Sequence, residues 1–142
     1  MPHQTRPDVA HILETSLYVE DLTISSAFYS RVFGFNVLGG EHRMCALEVP
    51  GGSVLLLFKR DGSLGPTATP GGTIPPHGGR GALHLCFAIP LLQLEAWEGH
   101  LAAEGVALES KVIQPHGGVS LYFRDPDGHS LEVGTPGLWY NY

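Results

Sequence analysis

Two stretches of this chain, about 70 residues apart, carry the same order of structural signals, an internal repetition that points to a duplicated unit. Residues 11–19 alternate as a strand, with Leu13, Leu17 and Val19 on one face and Glu14, Ser16 and Tyr18 on the other. Asp21 is placed to cap a helix whose stripe is Ile24, Phe28 and Val32, with Ala27 alongside, and Gly34 ends it. Short strands are expected near 35–38, 44–49 and 54–58, the last after the turn Pro50-Gly51-Gly52. The order then recurs. Residues 83–89 alternate, with Leu83, Leu85, Phe87 and Ile89 opposite His84, Cys86 and Ala88. A helix over 91–103 carries Leu94, Trp97 and Leu101 on one side, lacks a Ser, Thr or Asp cap, and stops at Gly105. Strands near 108–113, 118–124 and 130–134 complete the set. Glu14 precedes His84 by 70 residues and Gly34 precedes Gly105 by 71. The expected fold is therefore α+β: one domain over residues 1–142 made of two tandem βαβββ modules, 9–59 and 82–135.

Between the modules, residues 60–81 hold seven glycines and four prolines and cannot continue either sheet. A loop of this length is a lid, a binding loop or a plain linker. The tail, 136–142, carries Trp139, Tyr140 and Tyr142, enough apolar surface to dock on its own cup or on a partner. A 142-residue chain buries enough surface to fold without disulfides. With 14 acids against 8 bases, a net charge of −6 and no basic run, nucleic acid is excluded as a partner. The longest strongly apolar run, 54–58, cannot span a bilayer, and the first residues hold no signal-peptide stretch. Cys45 and Cys86 lack redox or zinc-finger spacing. These features describe a soluble cytoplasmic domain.

Strand parity locates the chemistry. Side chains alternate across a strand, so each module's first strand has one face under its helix and one facing away. Glu14, His84 and Glu132 face away, as do Ser120, Tyr122 and Arg124. Singly, each has a bland reading: Glu14 as a solvated acid, His84 as a hydrogen-bonded core histidine, Glu132 as a partner of Arg124. If the helix-free faces curl into one cup, an imidazole and two carboxylates line it, and desolvating them without a cation is costly. Such a donor set suits Mn²⁺, Fe²⁺, Mg²⁺, Zn²⁺ or Ni²⁺, and three ligands leave positions open for substrate oxygens. His77 and His116 read as solvated loop residues, and His129 as part of a turn outside the ligand set. Nearby acids disfavour a Cys86 thiolate.

Three motifs carry a resemblance: V-E-D-L-x-x-S-x-x-F-Y-x-x-V-F-G-F over 19–35, H-L-C-F-A over 84–88, and Y-F-R-D-P-D-G-H-S-L-E over 122–132. Across residues 11–135 the chain resembles the vicinal-oxygen-chelate superfamily, which includes lactoylglutathione lyases, extradiol dioxygenases, methylmalonyl-CoA epimerases and the fosfomycin- and bleomycin-resistance proteins. The resemblance implies a U-shaped cup, a homodimer, and a divalent metal held by Glu14 (where a His is common), His84 and Glu132. A fourth, acidic ligand of the lyases falls at about Leu56 here, so three ligands are expected. Tyr122 matches a tyrosine that assists the substrate, giving Glu14, Tyr122 and Glu132 as the catalytic set. Arg124 is a candidate for an anionic substrate, and Leu56 and Phe58 for an apolar one. The implied function is a metal-dependent lyase, isomerase or epimerase, or dioxygenase acting on a small molecule with adjacent oxygens. The alternative is a metal-free protein that sequesters a drug or antibiotic, as in the bleomycin-resistance branch.

Overall fold

The structure is a computed structural model and describes residues 6–142. The first module runs β1 (Glu14–Val19), α1 (Leu22–Phe33), β2 (Val37–Glu41), β3 (Met44–Val49) and β4 (Ser53–Lys59). A small hairpin follows, β5 (Thr67–Thr69) and β6 (Gly72–Ile74). The second module runs β7 (His84–Ala88), α2 (Leu94–Ala103), β8 (Ser110–Ile113), β9 (Val119–Arg124) and β10 (Ser130–Gly134). Each module forms a four-stranded sheet in the same order, β1-β4-β3-β2 and β7-β10-β9-β8, with its first strand parallel to its last. Among the described residues no helix is long and apolar enough to cross a membrane.

Local signals explain the helix ends. Asp21 Oδ1 accepts the Ile24 amide at 3.0 Å, relieving one of the free donors of the first turn. Gly34 closes α1 at φ 72°, a left-handed conformation that glycine adopts without strain. The second helix, lacking a side-chain cap, is entered through a 3-10 turn at Leu91–Gln93.

One core serves both modules. It joins Leu17, Val19, Leu47, Leu55 and Leu57 of the first sheet to Leu121, Phe123, Leu131 and Val133 of the second. Phe28, Tyr29 and Val32 of α1 and Leu101 of α2 lie in the same cluster. Phe33 stands among Phe87, Trp97 and Phe123 of the second module, with ring centres 4.6, 5.4 and 5.9 Å away. The helices thus pack between the sheets, and the helix-free faces point outward. The stripe of α1 is rotated from the expected one: Ile24 is 58% exposed, and Ser25, Phe28, Tyr29 and Val32 are buried.

The rotation has a polar cause in the Asp125-Pro126-Asp127-Gly128-His129 turn of the second module. The buried Tyr29 hydroxyl donates to Asp125 Oδ2 at 2.7 Å. Ser25 Oγ and the Glu20 amide donate to the two oxygens of Asp127, both at 2.8 Å. Asp127 therefore places negative charge at the N-terminus of α1, where the helix dipole favours it. His129, fully buried, spans the joint: its Nδ1 accepts the Leu83 amide at 2.9 Å and its Nε2 donates to the Tyr18 carbonyl at 2.7 Å. That motif is first of all the joint between modules.

Burial, reinforced by the Asp125 carboxylate, raises the Tyr29 pKa far above its usual value near 10. The unfolded chain ionises this tyrosine first, so its contribution is complete below pH 10 and is lost as pH rises beyond that. From pH 10 to 12 the wild type should lose up to about 1.4 kcal/mol per pH unit through Tyr29, a slope absent in Tyr29→Phe. At neutral pH that variant should be about 1.5–3 kcal/mol less stable in urea titrations, the worth of a hydrogen bond to a charged group. Parallel pH slopes in the two proteins would contradict this role.

Candidate metal centre

Strand register places the outward side chains in rows. On the second sheet one row is Cys86, Glu132, Tyr122 and Ser110, and an adjacent row begins His84, Ser130 and Arg124. On the first sheet the matching rows are Ser16, Leu56, Ala46 and Gly39, and Glu14, Val54 and Glu48. Glu14 is thus the structural counterpart of His84, and Leu56 that of Glu132.

The second face is a groove of about 700 Å³ lined by His84, Cys86, Gln114, His116, Tyr122, Glu132, Trp139 and Tyr140 among others. Glu132 is buried there, and its Oε2 accepts the Ser120 hydroxyl at 2.5 Å. Gln114 Nε2 in turn donates to Ser120 Oγ at 2.9 Å and lies 3.4 Å from the Tyr122 hydroxyl. The other oxygen, Oε1, faces His84 Nε2 at 3.2 Å. His84 Nδ1 lies 2.9 Å from the Ser130 carbonyl, which can only accept, so Nδ1 carries a proton. The Nε2 lone pair and a carboxylate oxygen then face each other, an arrangement that needs a positive charge between them, either a proton or a cation. Two donors each about 2.0–2.2 Å from one divalent ion lie about this far apart, so the pair fits a metal. Both donors are oriented from behind, as metal ligands characteristically are.

The first face is a separate groove of about 800 Å³ holding Glu14, Ser16, Tyr18, Leu56 and Phe58. The inter-module segment covers part of it: His77 Nδ1 pairs with the Tyr18 hydroxyl at 2.8 Å, and its ring meets Phe58 edge-on at 4.4 Å between centres. His77 is therefore packed in the groove wall rather than solvated as expected. Arg43, also lining this groove, is engaged by Glu41 at 2.7 Å and by Thr67 at 2.7 Å.

The structure brings His84, Glu132 and Tyr122 into one groove, and Glu14, Leu56 and Phe58 into the other. Among the described residues, no three His, Cys, Asp or Glu side chains converge to hold an ion within one chain. The three expected ligands therefore do not meet in a single copy, because the modules share their helix sides and turn these faces outward. Arg124 lies outside the groove that holds His84, Tyr122 and Glu132. Its Nε donates to Glu109 at 2.7 Å, not to Glu132, and it lines a different depression beside Phe28 and Pro126.

Several wall residues carried little signal in the sequence. Ser120 was visible by parity, but Gln114 reaches the site from the bend before β9. His116 lies 4.5 Å from Tyr140 between ring centres. The tail docks on its own module: Leu138 lies over Gly134 and Gly118, where an added Cβ would come within 2.6 Å of it. The Tyr142 hydroxyl reaches the Ile89 and Gly134 carbonyls, both at 3.2 Å. Both cysteines are free thiols.

The chain belongs to the Glyoxalase/Bleomycin resistance protein/Dioxygenase superfamily, whose family model matches residues 9–133. Among solved structures it is similar to a lactoylglutathione lyase from Agrobacterium tumefaciens, with 34% identity and a TM-score of 0.84, over 95% of this chain and 99% of that one. An integron cassette protein from the mobile metagenome of a Halifax Harbour sewage outfall aligns at 26% identity and TM-score 0.71, over 89% of this chain and 99% of that one. The oxidase ChaP-H2 shares the fold at 19% identity and TM-score 0.66, over 90% and 94%.

Burial and then the Glu132 carboxylate push the Cys86 thiol up to about 12, so at pH 8 the thiol form predominates. In metal-free protein, Glu132→Gln should accelerate iodoacetamide labelling of Cys86 at pH 8, measured by mass spectrometry of the modified peptide. An unchanged rate would show that Glu132 does not act on this thiol.

Proposed function

We propose that this protein is a metal-dependent enzyme whose substrate chelates the ion through adjacent oxygens, and that each complete site is shared between two copies of the chain. His84 and Glu132 come from one copy and Glu14 from the other. The observation that carries this reading is the 3.2 Å approach of His84 Nε2 to the Glu132 carboxylate, with His84 Nδ1 turned to the Ser130 carbonyl. The outward, exposed position of Glu14 on the counterpart strand supports its supply from a second copy.

A divalent ion bound there polarises a substrate carbonyl or hydroxyl and stabilises developing negative charge. Manganese, iron, zinc, nickel and magnesium all accept one imidazole and two carboxylates. That harder, more anionic donor set favours lyase or isomerase chemistry over oxygen activation. Within the chain, Ser120 and Gln114 hold Glu132, and Ser130 orients His84. Tyr122, with its ring centre 6.2 Å from that of His84, is placed to hydrogen-bond a substrate oxygen. Leu56 and Phe58, with Met44 and Ile74, offer an apolar wall for the part of the substrate that does not chelate. The carboxylates of Glu14, Glu41 and Glu132 face these grooves, and Arg43 is already engaged by Glu41. This balance suits a small substrate of low negative charge. A second reading, metal-free sequestration of a drug-like compound, is favoured by the size of the first groove and by Leu56 at the position matching Glu132.

Untagged, chelator-treated protein titrated with Mn²⁺, Ni²⁺ or Zn²⁺ should bind one ion per chain. His84→Ala and Glu132→Gln should each weaken binding by about 100-fold, the upper end of what even outer-shell changes cause. Refolding a mixture of Glu14→Gln and His84→Ala chains should restore one intact site in each mixed dimer, since one pairing then combines three native ligands. Undiminished binding in the single variants would overturn the ligand set, and no recovery on mixing would overturn the shared site. Apolar ligand uptake without any ion binding would favour sequestration.

A further inference from the structure

We propose that His129 is a positioning residue for His84, acting through the Leu83 amide; the proposal rests on the metal-site reading above. His84 is the first residue of β7, and a strand end ordinarily frays unless something beyond it supplies the next hydrogen bond. Here the His129 imidazole supplies it. Its Nδ1 accepts the Leu83 N–H at 2.9 Å, while the Leu83 carbonyl accepts the Ser130 N–H at 2.8 Å. Ser130 then turns its own carbonyl to His84 Nδ1 at 2.9 Å. The ring extends the β7–β10 ladder by one rung and holds the backbone from which His84 projects.

The ring is itself held at both nitrogens. Its Nε2 donates to the Tyr18 carbonyl at 2.7 Å, which fixes the tautomer that leaves Nδ1 free to accept. Its backbone amide donates to Asp125 Oδ1 at 2.8 Å. The first module makes the same backbone bond, Val54 N–H to the Leu13 carbonyl at 2.8 Å, but Ser53 stands where His129 does and donates to the Ile12 carbonyl at 3.1 Å. A hydroxyl of that reach bonds locally and does not link modules. The module bearing His84 and Glu132 thus has the rigid strand start.

Two substitutions separate positioning from module joining. In His129→Asn the short amide oxygen can take the place of Nδ1 and accept from Leu83, but the side chain no longer reaches Tyr18. In His129→Gln the amide reaches the Tyr18 carbonyl and the Leu83 acceptor is lost. Chelator-treated variants are compared for thermal stability, for Ni²⁺ affinity by calorimetry, and, without metal, for the His84 Nδ1–H bond to the Ser130 carbonyl by exchange of the Nδ1 proton with water. The expected result is that Asn keeps Ni²⁺ affinity within a few-fold of wild type and keeps the His84 Nδ1 proton protected. Gln should lose about 10–100-fold in affinity and show a fast-exchanging Nδ1 proton. Equal affinities and exchange in the two variants, or losses that simply follow thermal stability, would overturn the proposal. Should wild type bind no Ni²⁺, the metal reading fails by itself, and the exchange comparison still decides whether His129 positions His84.

Discussion

The docking of the Asp125–His129 turn onto α1 is the contact on which the rest of the architecture depends. Asp125 takes the Tyr29 hydroxyl, Asp127 takes Ser25 and the Glu20 amide, and His129 takes the Tyr18 carbonyl, so one short turn of the second module grips the start of the first. With the polar joint satisfied, the apolar faces of both sheets close over the same helices. The helix-free faces then have nowhere to point but outward. Two grooves result, one holding His84 and Glu132 and the other Glu14, and the proposal that a second copy completes the metal site starts from this separation.

The two grooves share a scaffold and differ in chemistry. Register makes Leu56 the counterpart of Glu132 and Glu14 that of His84. One face therefore concentrates donors, backed by Ser120, Gln114 and Ser130, and the other presents an apolar floor of Leu56 and Phe58 with the Glu14 and Glu41 carboxylates around it. In each module the chain that follows the last strand folds back over its own groove. His77 caps Phe58 and Tyr18 in the first, and Leu138 and Tyr142 pack over Gly134 in the second. The repeat thus extends beyond the sheets to the groove walls, where loops of unlike length give each groove its own shape.

Periodicity carried much of this. Alternation and the 70-residue spacing revealed the two modules and the outward parity of Glu14, His84, Tyr122 and Glu132, because a two-residue period and a glycine stop are local properties. What escaped is set by contacts between distant segments. Ile24 fits a four-residue stripe as well as Tyr29 does, and the group that takes the buried Tyr29 hydroxyl, Asp125, lies 96 residues away. Arg124 and Glu132 share a helix-free face, yet Glu109 on the approach to β8 captures the guanidinium. Gln114 and His77 lie in irregular chain with no period to read. His129 reads from the sequence as a turn residue, since nothing local shows that its ring stands in for a backbone acceptor. The separation of Glu14 from its expected companions follows from layer packing, which strand parity does not encode.

The most direct measurement is anomalous diffraction at the absorption edge of the bound ion, from crystals grown with Mn²⁺ or Zn²⁺. One anomalous peak per chain is expected, about 2.0–2.3 Å from His84 Nε2 and Glu132 Oε1 of one copy and from a Glu14 carboxylate oxygen of another. A peak lying elsewhere, or one at His84 and Glu132 with every Glu14 beyond coordinating distance, would contradict it.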